Sequence, residues 1–322
     1  MTTLALVHPT DLLALELRET LERRPDAWRE LRLLSNRDDE IGTLADVAGA
    51  ATMVAAIEPG SFDDVDVAFF AGPTEAHRDV LASLPATTTA IVLVADGEEH
   101  AGAPWVADVN LARLSPGAVD APLLSPHPVI VGLAHLLAPL RGFGLHDVAA
   151  TAMLPVSVFG RRGLDELFEQ TRDILSFQTN VQHEVLPTRL AFNVLRSGDP
   201  PAQVAEHLEA IFEERVPLSL QVLQAGIFHG VSFGLHVELA DDPGLDAVRE
   251  ALAAHPPNDV AEGDADLLGP VDAASRDEML IASVDATREG TYAIWAVVDN
   301  LTRAGALNAV ALLERVVGHR AT

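Results

Sequence analysis

Short apolar runs alternate with amphipathic segments in the amino-terminal part of the chain. Residues 3–8 form an apolar run that is typical of a buried parallel strand. Thr10 or Asp11 is predicted to cap the following helix, because short polar side chains accept hydrogen bonds from the first helical N–H groups. Further strands are predicted at 31–34, 53–57, 67–71 and 90–94, and a second helix at 73–84. This alternation predicts a doubly wound parallel α/β domain over residues 1–125.

The pattern changes after residue 125, where longer elements follow one another without regular alternation. Helices are predicted at 126–140, 160–177, 243–255 and 303–317. Strands are predicted at 147–154, 216–227, 231–239, 279–284 and 291–298, with a polar loop before about residue 275. This order predicts an α+β domain over 126–302. The last segment, 303–322, is expected to return to the first domain as a helix.

Composition places the chain among globular proteins of more than one domain. Its 322 residues suffice for two domains, and no apolar run approaches the length of a membrane span. The amino-terminal segment has neither a basic region nor a cleavage site of a secretory signal. The chain contains no cysteine, which excludes disulfides, thiolate metal sites and thiol catalysis. These features together predict a cytoplasmic protein.

Charge and histidine spacing exclude several kinds of partner. The formal net charge is −27, and all 21 basic residues are arginine, so phosphate-rich nucleic acid and anionic lipid are repelled. We therefore expect no nucleic-acid and no membrane partner. Of the 12 histidines, His183, His207, His229 and His236 are the nearest to metal-ligand patterns. None forms an i, i+4 pair with a supporting carboxylate, so the sequence predicts no metal site.

One segment carries a family resemblance. Residues 299–310, Asp-Asn-Leu-Thr-Arg-Ala-Gly-Ala-Leu-Asn-Ala-Val, resemble the carboxyl-terminal signature of aspartate-semialdehyde dehydrogenase. Weaker anchors occur in the family's order at 31–35, 106–110, 139–140, 160–167, 192–193 and 230. The resemblance covers nearly the whole chain and implies a Rossmann-like nucleotide-binding domain, an α+β dimerisation domain of the semialdehyde dehydrogenase type and a homodimer. N-acetyl-glutamyl-phosphate reductase shares this architecture.

The resemblance also implies where the family's catalytic residues would lie, and this chain differs there. Pro128 stands at the place of the cysteine nucleophile, and Leu154 at that of a glutamine. Gln224 replaces the arginine that pairs with the substrate carboxylate, and Val231 replaces the general-acid/base histidine. Ser125 and His127 are alternative reactive groups, although a capping serine and a loop histidine are the simpler interpretation.

The cofactor loop implied by the resemblance is degenerate as well. The family's Gly-x-x-Gly-x-x-Gly run cradles a pyrophosphate with backbone N–H groups. Here its glycine positions are His8, Asp11 and Ala14, with Thr10 between them, and Asp11 places an anion near the phosphate. Ser35 and Arg37 resemble the loop that receives the 2′-phosphate of NADP, but two aspartates follow them directly. With Asn300 of the signature, these residues would be remnants of a cofactor site, and no cofactor is expected.

Three functions stay open. The leading hypothesis is a catalytically inactive homologue, a pseudoenzyme, that acts through binding or assembly as a homodimer or as a heterodimer with an active paralogue. The second is a divergent NAD- or NADP-dependent oxidoreductase of amino-acid biosynthesis with a different catalytic group. The third is a small-molecule sensor, whose cleft would accept neutral or apolar ligands at Leu154, Val158, Phe159 and Val231.

Overall fold

The computed structural model describes residues 2–72, 74–95, 98–115, 121–178, 183–197, 203–261 and 267–318. The chain divides into two compact units, residues 1–128 with 304–322 and residues 129–303. Each unit has its own seven-stranded sheet. Within the described ranges, no helix is both long and apolar enough to cross a membrane.

The first unit is built on a parallel sheet. Its strands are β1 Thr3–Val7, β2 Glu30–Ser35, β3 Leu44–Val47, β4 Ala50–Met53, β5 Ala55–Ala56, β6 Val67–Phe70, β7 Thr89–Leu93, β8 Ala103–Pro104 and β9 Leu123–Ser125. Its first two helices are α1 Leu12–Glu22 and α2 Thr74–Ala82, and Pro25–Ala27 and Leu111–Arg113 are short 3₁₀ turns. The sheet order is β5-β2-β1-β6-β7-β9-β8, with every pairing parallel. Strands β1, β6 and β7 are buried throughout, as expected where helices cover both faces.

One strand prediction in this unit is correct only in part. Of residues 53–57, only β5 Ala55–Ala56 joins the parallel sheet, next to β2, because Met53 belongs to a separate antiparallel ribbon formed by β3 and β4. The ribbon turns at Ala48 and Gly49, both of which have positive φ, and Asp46 accepts the N–H of Gly49. The sequence Ala-Gly is a weak turn signal, and the aspartate that supports the turn lies outside it.

The second unit holds a mixed sheet with helices. Its strands are β10 Leu145–Leu154, β11 Val194–Arg196, β12 Leu218–Ala225, β13 Val231–Leu239, β14 Asn258–Val260, β15 Met279–Arg288 and β16 Thr291–Val298. The helices are α3 Pro128–Leu137, α4 Gly160–Leu175, α5 Val204–Phe212, α6 Leu245–Ala254 and α7 Pro270–Ala273, with 3₁₀ segments at Ala138–Phe143 and Val156–Phe159. The sheet order is β11-β12-β10-β13-β16-β15-β14. The predicted fold class, a doubly wound parallel sheet followed by an α+β domain, is confirmed.

Boundaries differ from the predictions where proline or irregular backbone intervenes. The helix predicted at 126–140 ends at Leu137, and a 3₁₀ segment that contains Pro139 follows it. The loop expected before residue 275 contains β14 and α7, while residues 262–266 lie outside the described ranges. The final helix starts as a π-helical segment, Thr302–Leu307, and continues as α8 Asn308–Gly318.

The two faces of the second sheet differ in burial. Along β10, Val148, Ala150 and Ala152 are buried, whereas the alternating Ala149 and Thr151 are exposed or half-buried. The buried face packs against α3 so closely that an added Cβ at Gly132 would meet the ring of Phe233. The other face stays open within this unit and contains a groove of about 600 Å³.

Candidate functional site

The first candidate region lies at the carboxyl edge of the parallel sheet. Strand β1 has β2 on one side and β6 on the other, so the strand order reverses there. Doubly wound domains bind ligands outside the carboxyl ends of the strands at such a point. The chain supplies His8 after β1, Ser35 at the end of β2 and Gly72 after β6. Of these residues, the resemblance implies that His8 and Ser35 are remnants of a cofactor site.

The loop after β1 keeps an unusual backbone although its glycines are absent. His8 has φ of 59° and is fully buried, so a non-glycine residue occupies a left-handed conformation there. Gly72 has φ of 96°, and a Cβ at this position would collide with the Asp11 carboxylate. Ala14 is buried on the inner side of α1. The loop is therefore filled by side chains rather than open for a close backbone approach.

Neither predicted capping side chain caps α1. Asp11 is the N-cap residue, but it makes no side-chain cap hydrogen bond. Its Oδ1 lies 3.5 Å from Arg37 Nη1, and its buried Oδ2 has no hydrogen-bond partner among the residues that the structure describes. The Thr10 hydroxyl donates a hydrogen bond to Glu40 Oε1 instead. Burial raises the pKa of Asp11, and the positive charge of Arg37 offsets only part of that effect.

Glu40, which the sequence reasoning missed, is the centre of this region. Its side chain is 2% exposed. Ser35 Oγ donates to its Oε2 at 2.5 Å, and His8 Nδ1 lies 3.4 Å from the same oxygen. Arg37 Nη1 lies 3.6 Å from Oε1. Burial opposes the charged form, yet the hydrogen bonds from His8, Ser35 and Thr10, with the charge of Arg37, lower the pKa of Glu40 to about 2.

Arg37 is surrounded by carboxylates. Besides Asp11 and Glu40, it binds Asp39 through Nη2 at 3.0 Å and Nε at 3.3 Å. Its own backbone N–H donates to Ser35 Oγ at 3.0 Å. The structure thus brings His8, Thr10, Asp11, Ser35 and Arg37 together in one network. In that network the guanidinium charge is already balanced by the chain's own acids.

A row of buried histidines continues along the same edge. The ring centroids of His8 and His77 lie 6.5 Å apart, and those of His77 and His100 lie 6.3 Å apart. Phe70 packs edge-on against His77 at 5.6 Å. Within the described ranges, no three His, Asp or Glu side chains are arranged to hold a metal ion. His183 and His236 are exposed, His229 is half-buried and His207 is buried.

The second candidate region lies in the second unit and contains three of the four positions to which the resemblance assigns the family's catalytic residues. Leu154 and Gln224 are register partners in the parallel pair β10–β12. Gln224 Nε2 donates to the Leu154 carbonyl at 3.0 Å, and the two residues are 4% and 7% exposed. Val231 is fully buried opposite Val298. A cavity of about 360 Å³ adjoins Gln224 and is lined further by Phe159, Pro187, Leu195, Arg196 and Ser197.

The polar residues near these positions bind one another. Asn300 Oδ1 accepts the Gly230 N–H at 3.0 Å, and Asn300 Nδ2 donates to Ser157 Oγ at 3.0 Å. Asp299 Oδ1 accepts the N–H groups of Leu301 and Thr302 at 2.8 and 2.9 Å. Asn300 and Ser157 are buried. These bonds hold the start of the carboxyl-terminal signature in place.

The fourth aligned position and the alternative reactive groups belong to the first unit. Pro128 is buried and opens α3. Ser125 ends β9, and its hydroxyl accepts a hydrogen bond from Asn308 Nδ2 at 2.9 Å. Asn308 also donates to the Trp105 carbonyl at 2.9 Å and accepts the Ala107 N–H at 2.8 Å. Ser125 is thus a buried strand residue rather than a helix cap, and His127 is buried as well.

A further buried histidine lies in the second unit. His135 on α3 is fully buried, and its Nδ1 lies 3.0 Å from His255 Nε2. Arg303 Nη2 lies 3.4 Å from His135 Nε2. Because a guanidinium only donates, His135 Nε2 must be the acceptor and Nδ1 carries the proton. Burial lowers the pKa of His135 well below its ordinary value, and the charges of Arg303 and His255 lower it further.

Comparison with known proteins agrees with this architecture. The family model described as semialdehyde dehydrogenase, dimerisation domain, matches residues 137–303. A USG-1 protein homolog of Pseudomonas aeruginosa is 30% identical over 315 residues, which cover 93% of each chain. An aspartate-semialdehyde dehydrogenase of Rickettsia conorii is 25% identical over 80% of this chain and 81% of its own. A solved structure from Pseudomonas aeruginosa, called a probable aspartate-semialdehyde dehydrogenase, superimposes with a TM-score of 0.89 at 29% identity and covers 99% of both chains.

Proposed function

Because the chain belongs to the semialdehyde dehydrogenase family, we propose that it is a cytoplasmic dimeric member that does not perform the dehydrogenase reaction and acts through binding or assembly. The observation that carries this proposal is the buried pair of Gln224 and Leu154. Gln224, which has the only polar side chain of the pair, donates a hydrogen bond from Nε2 to the Leu154 carbonyl at 3.0 Å. A group so engaged and so buried offers neither a positive charge nor a transferable proton to a substrate.

The other aligned positions support the same conclusion. Pro128, Leu154 and Val231 carry no titratable or nucleophilic atom, and the chain has no cysteine that could act from elsewhere. The hydroxyl of Ser157 and the amide of Asn300 bind each other. Acyl transfer with hydride transfer requires a nucleophile, a proton relay and a carboxylate-binding cation. We therefore expect no oxidation of an aldehyde by this chain.

The open face of the second sheet supports dimerisation. The groove on it is lined by Ala, Ser, Thr, Gln, Gly, Leu, Ile, His and Trp residues, with no Asp, Glu or Arg among them. In a chain of net charge −27, a groove without carboxylates is a place where two copies can meet with little repulsion. The matching family model is itself a dimerisation domain. We propose that this face forms a twofold interface in a homodimer.

A heterodimer with an active family member is a more specific form of the proposal. Relatives named aspartate-semialdehyde dehydrogenase match most of the chain, so an active paralogue would present a face of the same fold. Co-expression of two differently tagged chains, followed by tandem affinity purification, tests this form. Mixed dimers are expected, and recovery of separate homodimers alone would exclude it.

A small-ligand function is favoured by one observation. The cavity of about 360 Å³ in the second unit is lined by three apolar residues, Phe159, Pro187 and Leu195, and by three polar ones, Arg196, Ser197 and Gln224. Such a lining suits a small molecule with an apolar part and a hydrogen-bonding group. Thermal-shift measurements with uncharged amides and lactones test it. A stabilisation that Leu195→Trp abolishes would support ligand binding, and the absence of any stabilisation would exclude it for these compounds.

A steady-state assay tests the loss of the reaction. The purified chain is mixed with aspartate semialdehyde, phosphate and either NADP or NAD, and reduced nicotinamide is measured. We expect no more reduced nicotinamide than in the protein-free control. Sustained turnover that scales with protein concentration would contradict the proposal.

A further inference from the structure

Four polar side chains converge on one buried carboxylate at the carboxyl edge of the first sheet. Ser35 and Thr10 donate hydroxyl hydrogen bonds to Glu40, and His8 Nδ1 lies 3.4 Å from Oε2. Arg37 adds a positive charge 3.6 Å from Oε1. These partners come from the end of β2 and from the loops after β1 and β2, at the point where doubly wound domains bind ligands. Both oxygens of a fully buried anion are thus matched by donors, as an external anion would need.

We propose that Glu40 is a built-in ligand of the first unit, whose carboxylate occupies the anion position at the switch point and excludes a dinucleotide from it. The family implies NAD or NADP here, and the residues do not fit such a cofactor. A pyrophosphate needs free backbone N–H groups and glycines that allow close approach. His8 fills the loop with a buried ring, and Glu40 already uses the available hydroxyl donors.

The start of α1 gives an independent reason for the exclusion. Phosphate binding at a helix N-terminus depends on the partial positive charge of its N–H groups. Asp11 places a carboxylate at this N-terminus, and its buried Oδ2 is directed toward Gly72 without a hydrogen-bond partner among the described residues. A phosphate would have to enter beside two acidic side chains, Asp11 and Glu40, with Arg37 as the cation of the network. Like charges at such short range oppose its entry.

This inference deepens the proposed function and rests on separate residues. A chain that has lost the reaction could still bind a nucleotide. Conversely, occupation of the anion position by Glu40 in the first unit does not determine the chemistry of the second unit. Binding measurements therefore test Glu40, and turnover measurements test the proposed loss of the reaction.

Chemical rescue tests the role of Glu40 in the full-length chain. Glu40→Ala removes the carboxylate and leaves its donors facing a cavity. If Glu40 acts as a ligand, sodium formate should raise the melting temperature of E40A well above the rise that it gives the wild type, because the ion restores the lost bonds. Glu30→Ala is the control, since Glu30 is an exposed partner of Arg32 at 2.9 Å and no rescue is expected there. An equal formate effect on E40A and wild type would overturn the proposal.

Glu40→Gln is a second variant that tests the role of Glu40 if E40A does not fold. The glutamine preserves volume but has no carboxylate to titrate, so its stability deficit relative to wild type should be large at neutral pH and shrink in acid as Glu40 protonates. Urea unfolding of both chains at several pH values measures this. A deficit that is independent of pH would overturn the proposal.

Isothermal titration of the wild-type chain with NADP and with NAD completes the test. No heat of binding is expected at millimolar nucleotide. Saturable binding of either nucleotide to the folded wild type in the micromolar range would overturn the exclusion, whatever the result of the turnover assay.

Discussion

The side-chain amide of Gln224 donates a hydrogen bond to the backbone carbonyl of Leu154 at 3.0 Å, and the two residues face each other across β12 and β10. In the family, the resemblance places a substrate-binding arginine and a catalytic glutamine at these two positions. In this chain, Gln224 and Leu154 form a hydrogen bond with each other inside the sheet. This hydrogen bond joins two neighbouring strands and engages the Gln224 amide within the sheet.

Reintroducing the arginine should destabilise the chain rather than restore binding. Gln224→Arg places a charge at a position that is 4% exposed, beside a cavity whose lining contains Arg196 and no carboxylate. An unpaired buried charge should cost about 3 kcal/mol of unfolding free energy. The control Gln224→Met keeps the length and loses only the hydrogen bond, at about 1 kcal/mol. Urea unfolding measures both, and a Q224R chain as stable as wild type would show that the cavity already accommodates a cation.

A charge on the open sheet face should dissociate the proposed homodimer. Thr151 lies on β10, an interior strand of the sheet, and lines the groove, so Thr151→Asp would set carboxylates against the facing copy of the proposed dimer. Light scattering should then give the mass of one 34.2 kDa chain instead of two. Leu44→Asp is the matched control, because Leu44 is a 70% exposed apolar residue of the first unit. A T151D chain that stays dimeric would place the interface elsewhere.

The asparagine of the carboxyl-terminal signature should matter for stability. Asn308→Ala removes hydrogen bonds to Trp105, Ala107 and Ser125, which leaves buried backbone groups unpaired. The expected loss is about 2–4 kcal/mol of unfolding free energy. Glu314→Ala on the same helix is the control, since its half-exposed ion pair with Arg24 should contribute less than about 1 kcal/mol. Equal effects of the two substitutions would show that Asn308 does not anchor α8.

His135 should make stability dependent on pH. Its folded-state pKa lies below the ordinary value of 6.5, so its contribution is fully present above pH 6.5 and is lost as pH falls toward the folded pKa. His135→Gln should therefore remove part of the decline in unfolding free energy between neutral and mildly acidic pH. His146→Gln, at a 68% exposed site, is the control for the loss of one imidazole. Identical pH profiles of H135Q and wild type would contradict this assignment.

Patterning predicts the long elements well and the short ones poorly. The strands at 231–239 and 291–298 have the predicted bounds, because a long apolar run is buried along most of its length and the ends of the run therefore mark the ends of the strand. Strands β8, β9 and β11 have only two or three residues and were missed. Helix α5 was also missed, although Val204, Leu208, Ile211 and Phe212 follow helical spacing; residues with positive φ flank it at both ends.

The candidate site was predictable only in part. The resemblance pointed to His8, Thr10, Asp11, Ser35 and Arg37, and the fold brings these residues together. It did not point to Glu40, because an acid after Asp38 and Asp39 has the pattern of a solvated turn. Its burial depends on hydroxyl and histidine donors that are 5 to 32 residues away in the chain. No local pattern encodes the contacts with His8 and Thr10, since these two partners come from the loop after a different strand.

A single-turnover measurement tests the central claim, the absence of dehydrogenase chemistry, most directly. The chain is held in excess over aspartate semialdehyde with saturating NADP and phosphate, and reduced nicotinamide is measured until the aldehyde decays in the protein-free control. The proposal predicts no reduced nicotinamide above that control, because Pro128, Leu154, Gln224 and Val231 provide no nucleophile and no proton relay. Formation of reduced nicotinamide in proportion to the aldehyde supplied, even slowly, would contradict it.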